Sequence, residues 1–423
     1  MLRSPGLYAI KMTIEFDTMC KGTSDDREDT ACVALEAPVP PNQSLNVTIA
    51  EGVEAAGDLC DQWDDLFRRA VHATPFLSHA WMSTFIERGR FAGTPLFVLV
   101  WHETKLVALL ALAIHERLKA KIAMPISTEK GFYLGLLLDP EYESATDRMA
   151  DVIASKRVFD VYYSMDLSSE DRATIDLLDR LAARGYRVRR ISRNPCFRSQ
   201  LGCSFDQYFA RTASAKSRQN LRRRERRLFE KRDVKVERYL GEEVTAEVLG
   251  RIAAVEERSW LNRRGAAVLS EPFYQALLLK TAQAGLGAAW LMTIDGEDAA
   301  YEYVLTAHKK LLFGWRAFDL KYESSLSIGQ ILMMHTIRDA CSDGITSIDI
   351  GHGDAHYKRF WAKDVYSVER VAAGRGLRGR LIAAACYVAW SAGKIEWLKF
   401  QYRRARRSLR GSKPRTSARS GLS

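Results

Sequence analysis

Ser327-Ile328-Gly329-Gln330-Ile331-Leu332 is the stretch whose reading decides the fold. It joins an apolar run, Leu311 to Phe318, which reads as a strand, to Ile331 to Cys341, which reads as a helix. A small residue and a glycine at a fresh helix N-terminus make a place for phosphate. The first N–H groups of a helix have no internal acceptor, and the helix dipole is positive there. The same junction also serves as a plain helix cap, so its neighbours carry the weight. A second strand, Ile345 to Ile350, follows, then Gly351-His352-Gly353 and a short aromatic helix, His356-Tyr357-Lys358-Arg359-Phe360-Trp361.

Outward from this core the chain alternates between helical and strand periodicity. Ala55 to His72 is helical, with Leu59, Trp63, Leu66, Phe67 and Ala70 near one face, and Ser78 caps a second helix to Arg88. Leu96 to Trp101 and Leu106 to Ile114 read as a strand pair around a tight turn. Phe132 to Leu138, Asp160 to Asp166 and Arg187 to Ile191 read as strands, with helices over Ala145 to Ser155 and Ile175 to Arg184. After Pro195 the order restarts: a short strand Arg198 to Leu201, a basic helix Ala215 to Lys231, a strand Val234 to Tyr239, and two further helices. Strands Ala288 to Ile294, Asp298 to His308 and Leu311 to Phe318 follow, with Val365 to Ala372 last. The pattern predicts an α/β (α+β) fold.

The strand–loop–helix–strand–tyrosine helix order resembles the coenzyme A half of a GNAT acyltransferase. More narrowly, residues 45 to 370 resemble the CelD-type acetyltransferases associated with cellulose or exopolysaccharide biosynthesis. The matching pieces are Lys216-Ser217-Arg218-Gln219-Asn220-Leu221-Arg222-Arg223, Trp260-Leu261-Asn262-Arg263-Arg264-Gly265, the Ser327/Gly329 loop, and Asp349-Ile350-Gly351 followed by Tyr357-Lys358. The family often has proline where this chain has Ile328. The resemblance implies two tandem GNAT-like domains, each a mixed sheet flanked by helices. The expected division is a disordered leader over 1–44, an N-terminal domain over 45–195 that does not bind the co-substrate, an acyl-CoA-binding domain over 196–372, and a basic helix and tail over 373–423. The implied activity is direct N- or O-acetyl transfer from acetyl-CoA to an amine or hydroxyl acceptor, linked to polysaccharide synthesis. Two rivals stand beside it: a Fem-type peptidyltransferase drawing on aminoacyl-tRNA, and a non-catalytic accessory protein at a polysaccharide synthase.

Direct transfer needs a base for the acceptor proton, donors for the pyrophosphate and an acid for the thiolate, but no covalent enzyme intermediate. The phosphate donors expected are the backbone N–H groups around Ser327, Gly329, Gln330 and Ile331. The resemblance makes Tyr357 the general acid; as plain structure, its ring would pack with Phe360 and Trp361 at helical spacing. Three groups compete as base. Glu302 sits between two tyrosines in mid-strand, where burial would raise its pKa. Asp349 ends a central strand, where α/β sites collect. His352 titrates near neutrality. Each has a structural alternative: a salt-bridged strand residue, a turn cap, and loop polarity. His352, Lys358 and Arg316 are also expected at an anionic acceptor or phosphate.

Composition sets the outer bounds. The formal net charge of +11 is concentrated at one end: residues 371–423 hold 13 Lys and Arg and one acid, which leaves 50 basic against 51 acidic residues elsewhere. The body is therefore neutral, and the overall basicity is no argument for nucleic-acid binding. Residues 211–232 do hold ten Lys and Arg against two Glu, a helix that could contact RNA or lipid but is expected rather to attract coenzyme A or acidic glycans, with nucleic acid the less favoured partner. The seven cysteines show no zinc spacing and fit reduced thiols in a cytoplasm, so no metal is expected. No apolar run approaches the ~20 residues that span a bilayer. The segment Leu381 to Arg410 begins apolar and turns basic, with Trp390, Trp397 and Phe400, which suits either a helix on the inner membrane's anionic surface or a helix docked on the body followed by a solvated tail.

Overall fold

The apolar run at 106–114 lies in the middle of a longer strand that hairpins back on itself, and one continuous sheet grows from it in both directions. The computed structural model describes residues 44–91, 93–128, 131–202, 204–322 and 327–385. Its strands are β1 (Leu45–Glu51), β2 (Thr94–His102), β3 (Lys105–Arg117), β4 (Ala120–Pro125), β5 (Leu137–Leu138), β6 (Val161–Ser168), β7 (Tyr186–Gln200), β8 (Val234–Leu240), β9 (Gly287–Ile294), β10 (Glu297–Ala307), β11 (Lys310–Phe318), β12 (Ser347–His352) and β13 (Asp364–Arg375). They pair in the order β1-β2-β3-β4-β6-β13-β7-β12-β11-β10-β9-β8, with β5 beside β3. The mixed α/β class expected from the sequence is the class observed.

Helices cover both faces. One core cluster, from Trp63 and Trp81 to Leu277 and Tyr301, spans both halves of the chain. A second lies under the helices Phe205–Thr212, Ala215–Lys231 and Ile328–Ser342, and a third under Ala145–Ser155 and Arg172–Ala183. Ser78 caps its helix as expected, accepting from the Trp81 N–H.

Two local readings change. The strands expected at Arg187 to Ile191 and Arg198 to Leu201 are one strand, β7, which runs through Pro195. The partner β13 carries the chain past the proline, pairing without a break from Asp364↔Arg198 to Arg370↔Ser192. The division expected at 195/196 lies inside this strand, and β13, from the far end of the chain, pairs with β6 on its other side. Second, Phe132 to Leu138 is mostly irregular, with only Leu137–Leu138 paired. Tyr133 takes a left-handed φ of 56°, and a Cβ on Gly135 would lie 2.0 Å from an Asp171 carboxylate oxygen. The backbone here follows the wall of a neighbouring helix rather than a ladder. Residues 1–43 of the leader expected over 1–44, and the tail from 386, lie outside the described residues.

Candidate active site at the split between two parallel strands

β11 and β12 are parallel and pair only at Lys310↔Ser347, Leu311↔Ile348 and Leu312↔Asp349. Beyond that point the strands have no further pairs, although β11 continues to Phe318 and β12 to His352. Just past the fork, β11 carries a bulge against β10: Val304 pairs with Phe313 and Tyr303 with Trp315, so exposed Gly314 is the extra residue. A bulge takes one residue out of the ladder and turns its peptide away. Gly314 was legible as a glycine inside an apolar strand, a known bulge signal.

The helix Ile328–Ser342 begins beside this split, with Ser327 as its N-cap at a left-handed φ of 53°. Its first turn is closed: Gln330 and Ile331 donate their N–H groups to the Ser327 carbonyl, at 2.9 and 3.1 Å. The N–H groups of Ile328 and Gly329 have no acceptor among the described residues. Of the four positions named from sequence, Gly329 thus keeps a free backbone donor, joined by Ile328, which was not named; the Gln330 and Ile331 N–H groups are used within the helix, and the Gln330 side chain accepts from Trp361 Nε1 at 2.6 Å. Phe318 bounds the space over Gly329, where a Cβ would lie 3.2 Å from its Cδ1. The basic helix reaches the same spot, Arg224 Nη1 donating to Ser327 Oγ at 2.6 Å. This helix is fastened to Ile328–Ser342 through Glu225, whose carboxylate is 2.9 Å from His335 Nε2.

On this side of the sheet Arg316 organises three candidates. It lies 3.3 Å from the Glu302 carboxylate, donates to the Gly329 carbonyl at 3.3 Å and to Met333 Sδ at 3.0 Å, and sits 4.6 Å above the Tyr357 ring centre. Glu302 is 1% exposed, and neither of its oxygens accepts a well-aligned hydrogen bond. Burial pushes its pKa up to about 7 against the pull of Arg316. Burial also raises the Tyr357 phenol, which Arg316 pulls back down. Such a tyrosine is protonated at neutral pH and has a cation beside it to steady the anion.

Asp349 faces the other way. Tyr133 donates to its Oδ1 at 3.2 Å, the Gly351 N–H to the same oxygen at 2.7 Å, and Tyr366 to its Oδ2. Burial raises its pKa while these donors oppose the rise. Asp349 therefore ties a loop of the first half and β13 to the fork, and Tyr133, Tyr366 and buried Cys196 beside it gave no signal in the sequence. Lys358 is 7% exposed and donates to the carbonyls of Gly351 at 3.1 Å and His352 at 2.5 Å. Burial draws its pKa down to about 8. His352 packs against Phe132 with ring centres 4.9 Å apart, and burial lowers its pKa to about 4, so it is neutral at pH 7. Arg316 and Lys358, expected at the acceptor, are engaged internally in this arrangement and brace the two sides of the fork.

A forked parallel pair with a bulge beside a helix N-terminus is the arrangement of a GNAT-type fold. Residues 215–359 match the family model described as an acetyltransferase (GNAT) domain, so the chain carries that domain over this stretch. The structure of FemX superposes at a TM-score of 0.56 and 13% identity, covering 76% of this chain and 98% of FemX. The C-terminal domain (DUF2156) of a putative lysylphosphatidylglycerol synthetase from Agrobacterium fabrum gives 0.50 at 14%, covering 80% and 96%. A tandem GNAT protein from the clavulanic acid biosynthesis pathway gives 0.41 at 14%, covering 78% and 99%. No curated protein matches the sequence. The superpositions on FemX and on the DUF2156 domain show the fold, and the family match places a GNAT domain within it; neither narrows the chain to the CelD type.

Proposed function

We propose that this chain transfers an acetyl or similar small acyl group from acyl-CoA to an amine or hydroxyl at the β11/β12 fork. The carrying observation is the fork itself, with Ile328, Gly329 and Arg224 on one side and Tyr357 close by. The pyrophosphate would lie at the N-terminus of Ile328–Ser342, with Arg224 swinging from Ser327 to a phosphate oxygen. The acceptor nitrogen or oxygen attacks the thioester carbonyl; a C–N or C–O bond forms and the C–S bond breaks. Tyr357 gives its proton to the departing thiolate. The acceptor proton leaves toward neutral His352 or the Asp349 cluster; Glu302 is too deeply buried to touch an acceptor and acts through Arg316. A CelD-like role in polysaccharide synthesis, with a saccharide acceptor, is the narrower form of this proposal.

The test is calorimetric titration of acetyl-CoA into the protein and two variants. Wild type should bind saturably. Gly329→Asp places a carboxylate where phosphate belongs and beside Phe318, and should abolish binding. Arg224→Glu changes an exposed residue with no packing role and should weaken binding by at least about tenfold, the scale of a lost charge-assisted hydrogen bond. A folded wild type that does not bind acetyl-CoA overturns the reading.

The second reading is aminoacyl transfer, favoured by the FemX superposition over 76% of this chain. The basic helix would then hold a tRNA backbone rather than the coenzyme. Transfer from charged tRNA to a peptide or lipid amine, without acetyl-CoA binding, would select it.

A further inference from the structure

The three most exposed large apolar side chains among the described residues belong together. Leu118 is 81% exposed, Leu377 78% and Leu381 62%. Leu118 and Lys119 form the tip of the β3–β4 hairpin, both at left-handed φ. Leu377 and Leu381 are four apart on a helix over 376–385, so they share a face. Arg378 Nη1 donates to the Lys119 carbonyl at 2.9 Å and brings the start of that helix against the hairpin tip.

The two pieces are fastened to each other through Asp160. A Cβ on Gly379 would lie 2.7 Å from the Asp160 carbonyl oxygen, so only glycine lets the helix approach this closely. Asp160 in turn exchanges hydrogen bonds with the Lys121 backbone, its Oδ2 accepting at 2.8 Å and its N–H donating at 2.8 Å. Ala383 and Ile382 anchor the opposite face of the helix on Val161 and Ala372. The leucines therefore project because the fold holds them out.

The rim is basic. Arg117, Lys119 and Lys121 belong to the hairpin, and Arg378 and Arg380 to the helix; Glu116 and Asp160 are the acids on the hairpin and next to it. The polypeptide continues from this helix into residues 386–423, whose sequence holds ten Lys and Arg and one Glu. No helix among the described residues is long and apolar enough to cross a membrane. Projecting leucines with cationic residues on the same hairpin and helix match a surface that is apolar below and anionic above.

We propose that the Leu118/Leu377/Leu381 patch docks the protein on an anionic phospholipid bilayer, the leucines entering the headgroup boundary and the cationic residues meeting lipid phosphates. The site stands independently of the chemistry at the fork. The test is co-sedimentation with vesicles of equal parts phosphatidylglycerol and phosphatidylcholine, beside vesicles of phosphatidylcholine alone. Wild type should pellet with the anionic vesicles only, and less as salt rises. A Leu118→Glu/Leu377→Glu/Leu381→Glu variant should partition at least about tenfold more weakly with an unchanged melting temperature. These side chains are solvent-exposed, so folding is not at stake. Equal partitioning of wild type and variant assigns binding to residues 386–423 and overturns the proposal. So does a wild type that stays in solution, or a dimer that the three substitutions dissociate while vesicle binding is absent.

Discussion

Tyr357→Phe is expected to lower kcat by about 10²–10⁴-fold and leave the KM for acyl-CoA near its wild-type value. The ring contributes packing in the second core cluster and a face for Arg316, and phenylalanine keeps both. What is removed is the hydroxyl, a group beside the fork that is protonated at neutral pH and that Arg316 steadies once it loses its proton. Burial raises the phenol above its ordinary value of 10.0, so wild-type activity should persist through neutral pH and fall only under strongly alkaline conditions. The variant should lack that alkaline limb. Steady-state rates with acetyl-CoA across pH measure both effects. A variant with wild-type kcat would reduce Tyr357 to a packed aromatic.

Glu302→Gln is expected to change how stability depends on pH. The carboxyl titrates at about 7 in the folded chain against 4.5 ordinarily. Between those values the folded state binds more protons than the unfolded one, so stability is highest in acid and declines as pH rises toward 7. A shift of this size corresponds to on the order of 3 kcal/mol at 1.36 kcal/mol per pKa unit. Glutamine removes the titration, so its stability relative to wild type should improve from pH 5 to pH 8, less the loss of the Arg316 ion pair at 3.3 Å. Urea unfolding at the two pH values measures the difference. Parallel profiles would mean that Glu302 ionises in the folded chain as it does in water.

The sequence exposed what depends on local pattern. The Ser327 junction, the Ser78 cap, the hairpins and the aromatic helix at 356–361 each follow from a few adjacent residues, and each is present. It hid what depends on partners distant in the chain. Tyr133 reaches Asp349 across 216 positions and Arg224 reaches Ser327 across 103, and no periodicity announces either contact. Asp349 read as a base because strand ends collect catalytic groups. Its two oxygens receive three donors, and two of these, Tyr133 and Tyr366, come from parts of the chain that no local pattern links to it. Pro195 read as a break because proline usually ends a ladder, yet β13 pairs straight past it.

The placement of β13 also bears on how the protein is made. β6 ends at residue 168, and the strand that covers its free edge begins at 364. At roughly 5–20 residues per second, synthesis leaves that edge bare for tens of seconds. The first half of the nascent chain thus leaves the ribosome with an unpaired strand edge and cannot finish folding ahead of the second. Such an edge is a template for aggregation until β13 arrives. A chaperone that holds the first half open during translation should raise the yield, and separate expression of residues 45–195 should give inclusion bodies rather than a stable fragment.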